Sequence, residues 1–502
     1  MPQYLSPGVY VEEVQSGARP IEGVGTAVAA FVGFAQQGPF HQPTLVSNWN
    51  QYVQSFGGFV DGAYLPHAVY GYFANGGGAA YIVRVGGSSE QSAPVSGSPV
   101  RLGGLRVAAL PGAGQDVSVE VADAEGENPP DDRFRLLVRQ GGKVVETHDV
   151  STRKNVKNYV VNQVSAQSTL VEITEQGSGT LARPDKQTVS LPAAGDTPAR
   201  VDAQEYLGDP EARTGFGGLE SVDEITMVAA PDLMSAYQRD LIDLTGVKTV
   251  QLAMISHCEQ LGDRVAVLDT PPGMSAQQVR SWRMDEAGYD SRYAALYYPW
   301  ISVFDPLGGR NTTVPPSGHI AGVWARNDVE RGVHKAPANE VIRGAVDLDY
   351  GLSKGEQDLL NPIGVNCVRA FPGRGIRIWG ARTLSSDPAW RYLNVRRLFN
   401  FLEESILIGT QWVVFEPNDD RLWSSIRRNI AAFLTEQWRQ GALFGRTPAE
   451  AFYVKCDREN NPQESIDLGQ VVCEIGVSPV KPAEFVVFRL AQFSDSTSLV
   501  SE

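Results

Sequence analysis

The run Thr26-Ala27-Val28-Ala29-Ala30-Phe31-Val32-Gly33-Phe34 is apolar from end to end, built of small residues, and followed by Gly38-Pro39. It is too short for a buried helix, and a strand apolar on both sides has to be covered on both faces. Residues 225–232, 265–269 and 294–298 read the same way, while 235–245 and 275–287 between them read as helices, the second capped by Ser275. Strand alternating with helix implies α/β units, each with a parallel sheet covered on both faces.

Ahead of that unit lies a smaller one. Residues 48–56 and 65–73 have helical character and stop at Gly57-Gly58 and at Asn75-Gly76-Gly77-Gly78, where glycine permits the left-handed turn that ends a helix. Residues 80–85 read as a strand, and 86–100 have the Gly, Ser and Pro content of a linker. From 105 to 173, short alternating runs such as 117–121 and 134–138 are separated by turns such as Asn128-Pro129-Pro130-Asp131 and Gly141-Gly142, the pattern of a mostly β insertion. Toward the C-terminus, 390–408 places Leu398, Leu402 and Ile406 on one helical face, and 424–440 does the same with Ile426, Ile430, Phe433 and Leu434. Residues 452–455 and 471–477 are strand-like.

Two further ribbons bracket this body. In Pro7-Gly8-Val9-Tyr10-Val11-Glu12-Glu13 the apolar residues alternate, and Glu484-Phe485-Val486-Val487-Phe488-Arg489-Leu490 is equally strand-prone. Chain ends fray unless they are tied into a sheet. Strand-prone ends therefore imply sheet edges completed by other copies of the chain.

The formal charge of −15 argues against a general nucleic-acid binder. Residues 201–365 carry 13 basic against 24 acidic side chains, whereas 366–502 carry 16 of each. Within the latter, Arg369, Arg374, Arg377, Arg382, Arg391, Arg396 and Arg397 are interleaved with Asp387 as the sole acid, which predicts a locally basic face. Cys258, Cys367, Cys456 and Cys473 lack CxxC spacing and read as reduced, buried thiols. No secretory signal or membrane-spanning run is evident, so assembly in the cytoplasm is expected.

An enzyme would place its site beyond the carboxyl ends of the middle strands, where Asp232 and Asp269 fall, with His257 nearby. The partners are missing: the chain has no GxSxG, HExxH, GxxxxGK[ST] or helix-opening GxGxxG. Each Asp reads as a cap or loop anchor, His319 and His334 as loop residues, and the acceptor triplet Asn311-Thr312-Thr313 as a plain loop.

The N-terminal run 7–13, with Arg19-Pro20-Ile21 and 26–33, resembles contractile tail sheath proteins of phages and phage-like injection systems. So do Asn394-Val395-Arg396-Arg397-Leu398, Gly409-Thr410-Gln411-Trp412, Phe415-Glu416-Pro417-Asn418, Leu422-Trp423, Asp467-Leu468-Gly469 and Lys481-Pro482-Ala483-Glu484-Phe485. The resemblance implies an α/β and α+β multidomain chain: an N-terminal arm at 1–20, and an inner α+β domain built from both ends, 21–85 with 366–502, whose arm strand is 484–493. A mostly β insertion at 86–210 and an outer α/β domain at 211–365, subtilisin-like in topology but without catalytic residues, would complete it. It implies stacked hexameric rings around an inner tube, contacts with baseplate and terminal cap proteins, and no cofactor, nucleic-acid contact or membrane insertion. Linking strands would be Val9, Tyr10, Val11, Glu12 and Val14 at one end and Phe485, Val486, Val487, Phe488 and Leu490 at the other. Gly17, Pro20, Pro479 and Pro482 would be arm hinges, and Arg391, Arg396, Arg397, Arg427 and Arg428 a tube-facing surface. The alternatives are a hydrolase-like enzyme on the middle domain and a static shell protein.

Overall fold

The apolar run near the N-terminus becomes β1 (Val28–Gly33), which lies inside a single sheet with β2 (Thr44–Val46), β3 (Ala79–Arg84), β4 (Met227–Ala229), β5 (Val265–Asp269), β6 (Ala294–Tyr298), β7 (Val365–Phe371) and β8 (Gly375–Ile378). The computed structural model describes residues 20–86, 100–110, 117–124, 130, 132–154, 156–175, 181–191 and 201–488. The strand order is β8-β7-β6-β5-β4-β1-β3-β2. All pairs from β3 to β7 are parallel, and the antiparallel β2 and β8 close the two edges.

This sheet crosses the expected domain boundary. Ala30 of β1 faces Tyr81 on one side and Val228 on the other, so 28–84 pairs with the middle of the chain and not with the C-terminal segment. The reason is physical: a strand buried on both faces needs hydrogen-bond partners on both edges, and β4 supplies the second. Strands β7 and β8 likewise belong to this sheet.

Both faces are covered. On one, Ala30, Val32, Val228 and Leu268 pack with Val247, Val250 and Met254 of α4 (Leu244–Leu261). On the other, Ala29, Phe31, Val267 and Tyr297 meet α2 (Leu65–Asn75) and α5 (Ser317–Arg331). The first helix, α1 (Trp49–Phe56), starts where the Asn48 side chain accepts from Gln51 N–H. The single helix expected over 235–245 is two, α3 (Asp232–Gln238) and α4, because Asp240 takes φ 56° and Asp243 caps α4. Helix α5 had no sequence-based expectation. It approaches α2 through glycine: a Cβ at Gly318 would lie 2.3 Å from Ala68 Cα. His319 is thus buried in a helix, not in a loop.

Within 100–191, antiparallel strands such as Val117–Asp123, Arg133–Gln140 and Lys143–Ser151 enclose their own core around Val119, Phe134, Leu136 and Val150. The C-terminal segment forms a further core between α6 (Leu393–Gly409) and α7 (Asp420–Arg439), through Leu398, Leu402, Ile426, Ile430 and Leu434. Ile21 joins it, in the space left by Gly409, whose Cβ would lie 2.7 Å from Ile21 Cγ1. Among the described residues no helix is long and apolar enough to cross a membrane.

Candidate subunit-linking surface

After α7 the chain forms β9 (Phe452–Lys455) and β10 (Glu474–Val477), an antiparallel pair with Phe452 opposite Val477 and Lys455 opposite Glu474. β9 packs on α7, yet among the described residues neither outer edge of this two-stranded sheet carries a further strand. A two-stranded ribbon is marginal alone, and its outward N–H and C=O groups are a template for another strand.

Beyond the hairpin the chain surfaces. Phe485, Val486, Val487 and Phe488 belong to no strand and are 74%, 68%, 77% and 85% exposed. Burying one such side chain is worth about 1.5–3 kcal/mol, so four in a row on the surface make this segment a candidate contact for a partner. Val9, Tyr10, Val11, Glu12, Val14, Gly17 and Leu490 lie outside the described residues. Of the expected hinges, Pro20 is exposed, while Pro479 is bridged to Leu443. A second exposed apolar group, Leu407, Ile408, Val414 and Phe415, caps the end of α6. Phe415 holds φ 66° with its ring fully exposed, a backbone conformation disfavoured by about 1 kcal/mol or more without compensation.

The expected basic surface is corrected at two positions. The Arg396 side chain is 1% exposed: its guanidinium sits 4.7 Å from the Tyr293 ring and 4.5 Å from that of Trp390, Nε donates to Asn400 Oδ1 at 2.6 Å, and Nη2 to Glu403 at 3.1 Å. Arg397 donates twice to Asp328, at 2.9 and 2.6 Å, and once to Thr26 O at 2.9 Å, under the Trp324 ring. These two arginines fasten α6 to the sheet body and cannot face a tube. Planar guanidinium suits both roles, stacking on rings and gripping a carboxylate with two bonds. Arg391 and Arg427 stay half-buried and Arg428 exposed. Charge balance in 366–502 was the available signal that partners existed, but Asp328, on α5, is remote in sequence.

The other titratable candidates are anchors. Asp232 accepts from Phe34 N–H at 2.6 Å, Leu65 N–H at 3.1 Å and Tyr64 N–H, so it caps α2 from across the sheet. Burial pushes its carboxyl up to about 7 against those three donors. Asp269 accepts from Ser317 N–H at 2.9 Å at the start of α5, and burial likewise pushes it up to about 7. His257 lies beside Arg264 Nη1 at 3.5 Å and is lowered to about 4 by burial and that cation. No nucleophile stands within hydrogen-bond reach of His257 among these contacts. Asn311, Thr312 and Thr313 lie in a strand, Arg310–Val314, rather than a loop.

Residues 216–384 match the phage tail sheath protein central domain and 385–493 the phage tail sheath C-terminal domain. The tail sheath protein of Vibrio phage KVP40 is 26% identical over 393 residues, 72% of this chain but only 55% of that protein's length. That of Burkholderia phage BcepMu is 23% identical over 503 residues, covering 96% of this chain and 95% of the relative. The anti-feeding prophage helical sheath in its contracted state superposes with a TM-score of 0.60 at 26% identity, over 97% of this chain and 99% of that one. The two family domains adjoin at 384/385 and together span 216–493, more than half of the sequence, so the chain belongs to the contractile phage tail sheath family.

Proposed function

We propose that this chain is a non-enzymatic, force-generating sheath subunit that polymerises as stacked hexameric rings around an inner tube. The observation that carries this reading is the exposed apolar segment 485–488, which follows a two-stranded sheet whose outer edges carry no further strand among the described residues. Arms from neighbouring copies, 9–14 and 485–490, add strands to that hairpin. Backbone hydrogen bonds then hold the lattice through a large rearrangement, because they depend on strand pairing rather than on one side-chain fit. The sheet body turns as a rigid unit, from a metastable extended lattice to a contracted one of lower energy. Energy is stored during assembly, so no nucleotide or other cofactor is consumed. Arg391, Arg427 and Arg428 face the tube while the sheath is extended, as weak, solvent-screened contacts able to let go. Baseplate and terminal cap proteins bound the polymer, which is assembled in the bacterial cytoplasm as part of a phage tail or tail-like particle and touches neither nucleic acid nor lipid.

Negative-stain electron microscopy of the purified chain, alone and with its tube protein, tests this. Ribbed hollow tubes are expected from the full chain, and folded subunits without long tubes from variants lacking 1–18 or 485–502. Normal tubes from both truncations would sink the strand-exchange reading, and a single invariant lattice would make the protein a static shell.

A further inference from the structure

The stretch that leads from the hairpin to the arm is held at two places. Ser478 N–H donates to Ala451 O at 2.8 Å, Phe444 N–H to Ser478 O at 2.7 Å and Val480 N–H to Ala442 O at 3.2 Å. Asn394 Nδ2 adds a bond to Val480 O at 3.2 Å. Four residues further, the Glu484 carboxylate receives four hydrogen bonds: Arg382 Nε at 2.8 Å and Nη2 at 2.7 Å, Asn361 Nδ2 at 2.9 Å and Tyr392 Oη at 3.2 Å.

Arg382 is itself fixed to the sheet. Its N–H donates to Asn366 Oδ1 at 2.7 Å, and its carbonyl accepts from Asn366 Nδ2 at 2.8 Å, with Asn366 wholly buried in β7. A two-bond arginine–carboxylate pair shielded from water is far more constraining than an exposed one. Immediately after it, 485–488 is exposed.

The geometry points to Glu484 as the positioning residue that sets where the C-terminal arm leaves the body, with free rotation beginning at Phe485 and not at Pro479 or Pro482. This rests on the reading of the arm as a linker between copies. The arm root then turns with the eight-stranded sheet through the series of buried Asn366, buried Arg382 and half-buried Glu484. Moving the pivot past the six residues 479–484 shortens the free reach by about 20 Å, which restricts the neighbour the arm can engage.

Limited chymotrypsin cleavage of the unassembled full chain tests the clamp with an internal control. Cleavage after Phe485 requires residues 482–484 to leave the clamp, whereas cleavage after Phe488 does not. Native chain should be cut mainly after Phe488. Glu484→Gln, and the pair Arg382→Met with Glu484→Met that leaves no unpaired charge, should raise the 485-to-488 cleavage ratio about tenfold, with the unfolding midpoint of the body unchanged in the pair. Both should give shorter tubes of irregular pitch. An unchanged ratio in both variants, or a raised ratio with tubes as long and uniform as native, overturns the clamp. The variant lacking 485–502 separates the two ideas: if it forms normal tubes the linker reading itself fails, whatever the ratio.

Discussion

The sheet body and the C-terminal hairpin unit use the same kinds of side chain in opposite ways. In the body, carboxylates such as Asp232, Asp269 and Asp328 are buried and spent on internal donors, and the strands from β3 to β7 have neighbours on both sides. In the hairpin unit, the outer edges carry no further strand among the described residues, and apolar residues 485–488 are exposed. A part that satisfies its own hydrogen bonds moves as one piece. A part that leaves them open is completed by something else, and the two properties together are what a lattice of rigid, linked subunits requires.

Substitutions can break this contrast. The largest effect is expected from Asp232→Ala, which orphans the N–H groups of Phe34, Tyr64 and Leu65. A loss of about 3–5 kcal/mol in urea unfolding is predicted, at about 1–3 kcal/mol per buried unsatisfied group with partial relaxation. Asp328→Ala comes next, at about 3–4 kcal/mol, because it leaves Arg397 buried and unpaired, whereas Asp328→Leu combined with Arg397→Met should recover most of that loss. A double variant as unstable as the single would mean that the pair is worth more than its charge compensation.

Asp269 gives a pH signature. Its carboxyl is raised in the folded state, so the native protein binds a proton that the unfolded chain has released between about pH 4 and 7, and stability falls as pH rises through that window. Asp269→Asn keeps an acceptor for Ser317 N–H and should flatten this slope, matching native stability near pH 4 and exceeding it at pH 8 by on the order of 1–3 kcal/mol. Parallel slopes in the two proteins would show that other groups carry the dependence.

On the hairpin side the stability effects should be small and the assembly effects large. Reversing Arg391, Arg427 and Arg428 to Glu should change unfolding by about 0.5 kcal/mol or less per site, as for surface positions, yet stop co-assembly with the tube. Unaltered co-assembly would leave these cations as solvated surface. Glu484 adds the smallest and most local effect. Burial alone would raise its carboxyl, but the hydrogen bonds from Arg382 and Asn361 and the Arg382 charge hold it below its ordinary range. Its contribution is therefore complete at neutral pH and is lost as pH falls through that lowered value. Exposure of the Phe485 peptide bond should rise only in acid, below the ordinary range of a glutamate carboxyl, as read by cleavage with an acid-active protease such as pepsin.

Much of the local structure was legible in the chain. The runs 265–269 and 294–298 are strands with those bounds, and Ser275 forms a capping box with Gln278, because two-sided apolar patterns and caps are properties of neighbouring residues. Helix α5 escaped notice since it is buried nearly all round and uses Gly318 and Gly322 for close approach, which removes the amphipathic stripe a reader looks for. The arginine cluster misled for a related reason: its count was right, but Arg396 is enclosed by Tyr293 as well as by nearby Trp390, and Arg397 by Trp324 and Asp328; Tyr293, Trp324 and Asp328 are far away in the chain.

By itself, then, the sequence determined the alternation of strand and helix, the β character of the insertion and the family resemblance in the flanking segments. Only the tertiary structure decided that β1 joins β4, that Arg396 and Arg397 are internal, and that Glu484 is bonded to Arg382, which Asn366 of β7 holds. The division has one physical cause. Periodicity, caps and turns are set by contacts within a few residues, whereas strand order and the burial of a charge depend on which distant group arrives to complete a hydrogen bond, and several apolar strands of this chain offer the same local pattern to choose from.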